Sequence, residues 1–415
     1  MIFFQSLTQD DLAQLLLPLS RDGKRLSETE EQAEARALKR ARMRSRMLFV
    51  WVYQRMVTDW SLMTDLSKDL RQWLSENVTI YRPEEQYNRQ ALDGTHKFLW
   101  KLVDGKTIES VIIPAALQER EGEEADERLR EPASERQRQE DGKAFAGVEA
   151  DAELDSGRWG RLTACISSQV GCAMACKFCL TGVQGLDRHL QIHEIVGQIH
   201  ELRRVAPITN IVFMGMGEPL HNLDNVSKAC QILLDECGLN FSKRKVTVST
   251  SGLVPAIEEL GKRVDVSLAI SLNGTTDEQR SAIMPVNKRW NLDALMKACR
   301  DYPLGPHRRI TFEYVLLKDF NDTLEDAARI VKLTRGIPSK INLIPFNEHP
   351  GADFKRPDDS RVREFQKYLL NHDRVATVRI SRGRDILAAC GQLRSIFGTA
   401  RGTEKHRDYA AEATS

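Results

Sequence analysis

From Arg161 to Ile380 the chain repeats one alternation: a short apolar run, a turn, then a stretch whose apolar residues recur with helical spacing. Strands are expected at Arg161–Ser167, Asn210–Met214, Lys245–Ser249, Val264–Leu272, Arg309–Leu316, Lys340–Ile344 and Ala376–Ile380. Helices are expected between them, near Ile192–Arg204, Asn222–Glu236, Val254–Leu260, Asn291–Cys299, Leu324–Thr334 and Ser360–Asn371. Strands separated by helices pair in parallel through right-handed crossovers, so the fold class is α/β. That restricts where a site can form. In parallel α/β barrels ligands sit beyond the carboxyl ends of the strands. Gly215-Met-Gly217-Glu218, Ser249-Thr-Ser251, Ser271-Leu272-Asn273 and Asn347 all lie at or just after such ends, as does a cysteine-rich loop following the first strand. They are expected to converge on one mouth.

That loop holds Cys172, Cys176 and Cys179 in a C-x3-C-x2-C run. Each iron of a [4Fe–4S] cluster normally takes one thiolate, so three thiolates leave the fourth iron open to a ligand that is not protein. This is the arrangement radical S-adenosylmethionine chemistry needs, because the open iron takes the amino-acid end of that cofactor. Rival readings explain less. A structural zinc site wants four ligands, which His189 or His193 would have to complete. A ferredoxin run is spaced C-x2-C-x2-C, and a disulfide framework does not suit a chain of this length. The glycines beside Glu218 let backbone approach a ligand, and Glu218 can accept hydrogen bonds from an ammonium group. Ser249, Ser271 and Asn273 are candidates for a ribose or carboxylate, although each alone reads equally as a strand-end or cap residue. Cys165 lies seven residues before Cys172, and Cys390 sits in a small-residue loop, Ala388-Ala-Cys-Gly-Gln392, beyond the last strand. Such a loop favours a reactive thiol; Cys230, Cys237 and Cys299 fall at helical positions and read as buried small hydrophobes.

The 415 residues are 41% hydrophobic and 29% charged, as in an ordinary soluble protein. No stretch approaches 18 apolar residues, and Met1-Ile-Phe-Phe-Gln-Ser-Leu7 lacks the basic start of a signal peptide. With eight cysteines, several in a metal-like run, a cytoplasmic setting is expected. The net charge of +1 hides an asymmetry. Residues 118–143 are rich in acidic side chains and nearly free of large apolar ones, so they read as a disordered insertion. Basic clusters occur at Lys39–Arg46, Lys243–Lys245, Lys288-Arg289, His307–Arg309 and Arg379–Arg384. One cluster alone reads as a solvated face; five, on both sides of the cysteine loop in sequence, point toward a polyanion. Residues 1–75 read as helical, with a capping pattern Ser27-Glu-Thr-Glu30 before a helix from Glu30 to Met56. Lys97–Leu102, an Asp104-Gly105 turn and Thr107–Ile113 read as a β-hairpin. The expected units are therefore 1–114, an acidic insertion at 115–158, a core at 159–395 and a tail at 396–415.

Six segments taken together resemble a known family. They are Ser167–Cys179, Met214–Leu220, Val248–Gly252, Leu268–Asn273, Asn342–Asn347 and Ala388–Leu393. They are similar to the bacterial radical S-adenosylmethionine methyltransferases that modify one adenine in 23S rRNA, closely over 160–393 and more loosely over 40–114. The resemblance implies a partial (β/α)6 barrel with a small α+β accessory domain that binds RNA. It implies a [4Fe–4S] cluster on Cys172, Cys176 and Cys179, two S-adenosylmethionine molecules per turnover, and cofactor contacts from Gly217, Glu218, Ser249, Ser271, Leu272, Asn273 and Asn347. It implies further that Cys390 carries the methyl group as an S-methylcysteine intermediate and that Glu109 accepts the C2 proton. Cys165 would then resolve the adduct through a transient disulfide with Cys390. From its residue pattern alone, Glu109 reads as a solvent-facing hairpin side chain. The implied substrate is 23S rRNA, with tRNA in some members, and an external donor such as a flavodoxin or ferredoxin supplies electrons. A sister branch methylates adenine C8 and confers antibiotic resistance; that regiochemistry, another radical reaction on tRNA or a non-RNA substrate, and a non-catalytic iron–sulfur sensor are the alternatives. Two features depart from the family pattern: about fifty residues between Pro114 and Cys165, where a short link is usual, and the basic Ser381-Arg-Gly-Arg-Asp385.

Overall fold

The computed structural model describes residues 2–21, 28–115, 160–349 and 351–394. The expected acidic insertion, apart from Ala115, and the expected tail lie outside these residues. The expected α/β alternation is present. Strands β6 (Leu162–Cys165), β9 (Asn210–Phe213), β10 (Val246–Thr250), β11 (Ser267–Ser271), β12 (Ile310–Leu316), β13 (Ser339–Pro345) and β14 (Ala376–Val378) pair in parallel in that order. The helices fall where helical spacing placed them, for example Ile192–Val205, Leu223–Leu234 and Asp359–Asn371. Several strands differ from expectation at their ends, because ladder pairing stops where the chain turns into loops; β13 is one residue longer at each end. β11 runs only from Ser267, and β14 stops at Val378. The helix Asp277–Ile283 was not foreseen, since seven mostly polar residues carry too little periodicity.

The hairpin expected at 97–113 forms as β4 (His96–Lys101) and β5 (Thr107–Pro114), with Leu99 opposite Glu109. A further strand, β3 (Glu84–Gln90), pairs with β4 and was missed because nearly every residue in it is polar and exposed. β5 pairs antiparallel with β6, so these three strands continue the parallel sheet into ten strands. The buried faces of both regions share one apolar core, in which Trp100, Val111, Ile166 and Phe213 all take part.

Residues 2–77 are not wholly helical. Ile2–Phe3 (β1) pairs in parallel with Val78–Thr79 (β2), because the apolar start docks beside the strand that follows the last N-terminal helix. The long helix spans Glu30–Phe49 and is capped by Thr29, not Ser27: Thr29 Oγ1 and the Gln32 side chain satisfy each other's backbone amides. Among the described residues no helix is long and apolar enough to cross a membrane.

Candidate active site

The loop after β6 carries the three cysteines and is shaped by close packing. Gly171 has φ 74°, and a Cβ there would come within 1.9 Å of the Gly185 carbonyl oxygen. Only glycine lets the short pair β7 (Gln169–Gly171) and β8 (Leu186–His189) close over the loop. The loop then docks on neighbours. Lys177 N donates to Ile283 O at 3.0 Å, and Leu180 N donates to Gly391 O at 2.8 Å.

Cys179 raises the pKa of Cys172 and Cys176, and Cys172 also raises that of Cys176, with burial the larger cause for all three cysteines. Cys172 is pushed up to about 12. Backbone amides of Met174 and Gly182 point at Cys172 and Cys179 and favour their thiolates. Mutually repelling thiolates in a poorly hydrated loop need positive charge among them, which a group of ferric and ferrous ions provides. Among the described residues no three His, Cys, Asp or Glu side chains are arranged to hold a metal ion. Ligands of one zinc must converge on a point, whereas a four-iron cube stands between its thiolates. What fits a cluster is the donor set itself, three neighbouring thiols on one loop. His189 and His193, the possible completing ligands of a zinc site, are engaged elsewhere: His189 with Gln169, and His193 with Ser6 and the Phe3 ring.

Strand ends bring the other candidates to the same mouth. Glu218 is buried; its oxygens accept from Leu220 N at 3.1 Å and Ser251 N at 2.7 Å. Burial raises its pKa, and the Ser251 contact works against that rise. Gly217, with φ 101°, passes so close to Gln169 that a Cβ would lie 2.5 Å from that side chain. Gln169 Oε1 in turn accepts from Glu218 N at 2.8 Å. Ser249 and Ser271 lie on the paired strands β10 and β11. Leu272 buries its side chain, and its backbone is held in place: its N–H donates to Glu313 O at 2.9 Å and its carbonyl accepts from Gly274 N at 2.7 Å. Asn273 has its amide oxygen taken by Val315 N at 2.8 Å, its amide nitrogen turned to Met284 Sδ, and its carbonyl bonded by Asn321 Nδ2 at 2.9 Å, so the strand end it caps is firmly held. Asn347 differs. Its Nδ2 donates to Cys390 O at 3.2 Å, while its buried Oδ1 has no protein partner. A buried acceptor without a partner costs stability unless a ligand meets it.

Cys165 and Cys390 are far apart in sequence and come together here. Each of Cys165 and Cys179 is raised in part by Cys390, which places the Cys390 thiol between the cluster loop and β6. Burial is the main cause that pushes Cys165 up to about 12, and the Arg379 guanidinium pulls it back down. All eight cysteines are free thiols. Cys390 is half-buried in a cleft lined also by Ile113, Ile344, Arg379, Ser381 and Arg382. Ser381 Oγ is another buried polar atom without a protein partner.

Glu109 is not the solvent-facing residue its strand pattern suggested. It is fully buried, because β6 covers the β5 edge and the Cys390 loop closes over it. Its Oε2 accepts from Arg394 N at 2.9 Å, and Lys97 Nζ lies 2.7 Å from Oε1 as an ion pair. Burial raises the Glu109 pKa and Lys97 opposes the rise. Lys97 also donates to Leu387 O at 3.3 Å, so one ammonium holds both the carboxylate and the Cys390 loop. Nothing in the sequence reading singled out Lys97. Its signal is positional: it stands two residues before Leu99, which faces Glu109 across the ladder.

The basic clusters do not all flank this mouth. Lys243–Lys245 and His307–Arg309 precede β10 and β12, at the opposite end of the sheet. There Lys243 and Arg308 both pair with Asp265. Arg379–Arg384 follows β14 and lies at the mouth.

Residues 166–331 match the radical SAM superfamily, and residues 35–80 match the ribosomal RNA large subunit methyltransferase N-terminal domain. The dual-specificity RNA methyltransferase RlmN of Syntrophotalea carbinolica is 48% identical over 85% of this chain and 84% of its own length. That of Geobacter sulfurreducens is 48% identical over 85% and 86%. A crystal structure of a radical SAM methyltransferase from Sphaerobacter thermophilus superposes with a TM-score of 0.75 at 35% identity, covering 95% of this chain and 99% of that one.

Proposed function

The chain belongs to the RlmN family of radical S-adenosylmethionine RNA methyltransferases, and from that membership we propose that it methylates C2 of an adenine in 23S rRNA and in tRNA. What supports the reading is the approach of the Cys390 loop to both partners: Cys165 and Cys179 each feel the Cys390 thiol, and Leu180 N of the cluster loop donates to Gly391 O. Adenine C2 is electron-poor and will not attack a methyl sulfonium as a nucleophile, so simple methyl transfer fails there. When bound, the cluster supplies single electrons and S-adenosylmethionine supplies the methyl group and the means of abstracting hydrogen. Cys172, Cys176 and Cys179 would hold the cluster. Gly217, Glu218, Ser249, Ser271, Leu272 and Asn273 would line the cofactor, with Asn347 Oδ1 as a further acceptor.

The chain's own groups then have distinct tasks. Cys390 accepts the methyl group on sulfur, and its carbon becomes bonded to adenine C2. Glu109, ionised beside Lys97, takes the C2 proton. Cys165 sulfur attacks Cys390 sulfur, the sulfur–carbon bond breaks toward the product, and a Cys165–Cys390 disulfide remains for reduction. The base must leave its stack to reach this cleft, and residues 1–114 form the accessory unit that reads RNA by shape and backbone. Residues 159–395 form the catalytic core. We assign the electrons to an external flavodoxin or ferredoxin and the enzyme to the cytoplasm. The test is anaerobic reconstitution to about four irons per chain, followed by incubation with unmodified 23S rRNA fragments and tRNA. Digestion and mass analysis should yield 2-methyladenosine from both; 8-methyladenosine would place the chain in the C8 branch.

A further inference from the structure

Arg280 is among the largest fully buried side chains of the molecule. It lies on the short helix Asp277–Ile283, and among the described residues no carboxylate forms an ion pair with it; Asp277 favours its charge from a distance but gives its oxygen to Asn287 Nδ2 and Leu292 N. Its Nε donates to Leu272 O at 2.9 Å and its Nη1 to Asn287 Oδ1 at 2.9 Å. Its Nη2 donates to Ser251 O at 2.5 Å and Ser271 O at 3.2 Å. The guanidinium thus ties the ends of β10 and β11, the two strands that carry Ser249 and Ser271. Space for it is made to measure: a Cβ on Gly274 would lie 2.7 Å from the Arg280 backbone. Four neutral acceptors satisfy its donors but not its charge. A cation fully removed from water demands an anion nearby.

Geometry supplies one. Ile283, one turn further along the same helix, accepts from Lys177 N in the cysteine loop, and Ile283 and Met284 belong to the apolar cluster against which Cys176 packs. Cys176 is also the leading favourable charge partner of the Arg280 guanidinium. We propose that Arg280 is a positioning residue that serves as the fixed counter-charge of the Cys176 side of the iron–sulfur cluster, while its fork holds the two cofactor-bearing strand ends in register. This rests on the cluster reading above. An anionic cluster gains negative charge on reduction, so a buried cation beside it makes that reduction easier. The same cation fixes strand ends that contact S-adenosylmethionine, which couples cofactor binding to the redox centre.

Three anaerobically reconstituted proteins separate these roles: wild type, Arg280→Met and Arg280→Lys. Iron content, the midpoint potential from a titration followed by electron paramagnetic resonance, and S-adenosylmethionine affinity are measured on each. Arg280→Met should retain the cluster but shift its midpoint to more negative potential and weaken S-adenosylmethionine binding about tenfold or more. Arg280→Lys keeps the charge but cannot span the carbonyls, so its potential should stay near wild type while affinity falls. An Arg280→Met protein that folds with full iron and an unchanged potential overturns the proposal. If Arg280→Met does not fold, Arg280→Lys decides: a normal affinity with a shifted potential overturns it. A wild-type protein that takes up no iron overturns the cluster reading itself, and the proposal with it.

Discussion

The two ends of the parallel sheet are built on opposite rules. At the amino end, charges are mostly paired with one another, as where exposed Lys243 and largely buried Arg308 meet on Asp265, although Arg308 Nη2 is buried without a hydrogen-bond partner. At the carboxyl end, charged and polar groups are buried, and some lack protein partners: Asn347 Oδ1 and Ser381 Oγ are enclosed and unsatisfied. Two non-glycine residues, Asn273 and Leu387, take positive φ there, as His307 and Asp373 do at the amino end. Each such feature costs of the order of a few kcal/mol and persists only where the surrounding fold insists on it. One rim serves stability and solubility; the other gives up stability to hold reacting groups in place.

The strongest way to break this contrast is to remove the thiols of the carboxyl end one at a time. Cys390→Ala should abolish methylation and leave RNA and protein separate, because nothing accepts the methyl group. Cys165→Ala should also stop turnover but accumulate protein bonded to RNA, since the thiolate that releases the adduct is gone. The double variant should show no crosslink. Denaturing gels of anaerobic reactions read all three outcomes. Normal turnover by either single variant would reduce that cysteine to a buried apolar thiol, no different in kind from Cys230.

Much of the site was legible in the sequence, and the reasons are physical. Strand–helix alternation forces a parallel sheet, and a parallel sheet forces its loops to one end, so Glu218, Ser249, Ser271 and Asn347 were placed correctly without coordinates. The cysteine spacing carried its own chemistry. What escaped were residues whose meaning is set by partners distant in sequence. Glu109 alternates like any hairpin residue, and only the pairing of β5 with β6 buries it. Lys97 resembles an exposed lysine until the Cys390 loop, some 290 positions later in the chain, closes over it. Arg280 is one of many arginines in the sequence, and its burial depends on helix Asp277–Ile283, which has no strong pattern. The basic clusters were legible in part: Lys243–Lys245 and His307–Arg309 precede their strands, which puts them at the amino end.

Lys97 sharpens the contrast at intermediate size. In Lys97→Met the buried Glu109 loses the cation that opposes its desolvation, so its already raised pKa rises further. A carboxyl raised above its unfolded value contributes stability at low pH, which is lost as pH climbs from the unfolded value through the folded one. The variant should therefore be close to wild type near pH 4 and destabilised at pH 8 by about 3 kcal/mol, the usual cost of leaving one partner of a buried pair. The acid limb of its turnover profile should also move to higher pH, because Glu109 must be ionised to take a proton. Urea melts at the two pH values and a rate–pH profile check both. Equal destabilisation at both pH values would mean that Lys97 acts by packing alone.

The smallest effect is expected at the amino end, and it tests whether that end is inert. Asp265 sits half-exposed between Lys243 and Arg308, and its pKa is lowered chiefly by the hydrogen bond from Lys243. The exposed Lys243 pair contributes about 0.5 kcal/mol, and the largely buried Arg308 loses its partner as well, so Asp265→Ala should lower the melting temperature by a few degrees. The substitution also removes the only acid paired with that cluster among the described residues, leaving Lys243, Arg244, Lys245 and Arg308 as an uncompensated patch. If that patch touched RNA, the variant would bind RNA more tightly and its affinity would depend more steeply on salt. With the site at the other rim, affinity, salt slope and turnover should all match wild type. A tighter, saltier complex would extend the RNA footprint to the amino end of the sheet and undo the division between the two rims.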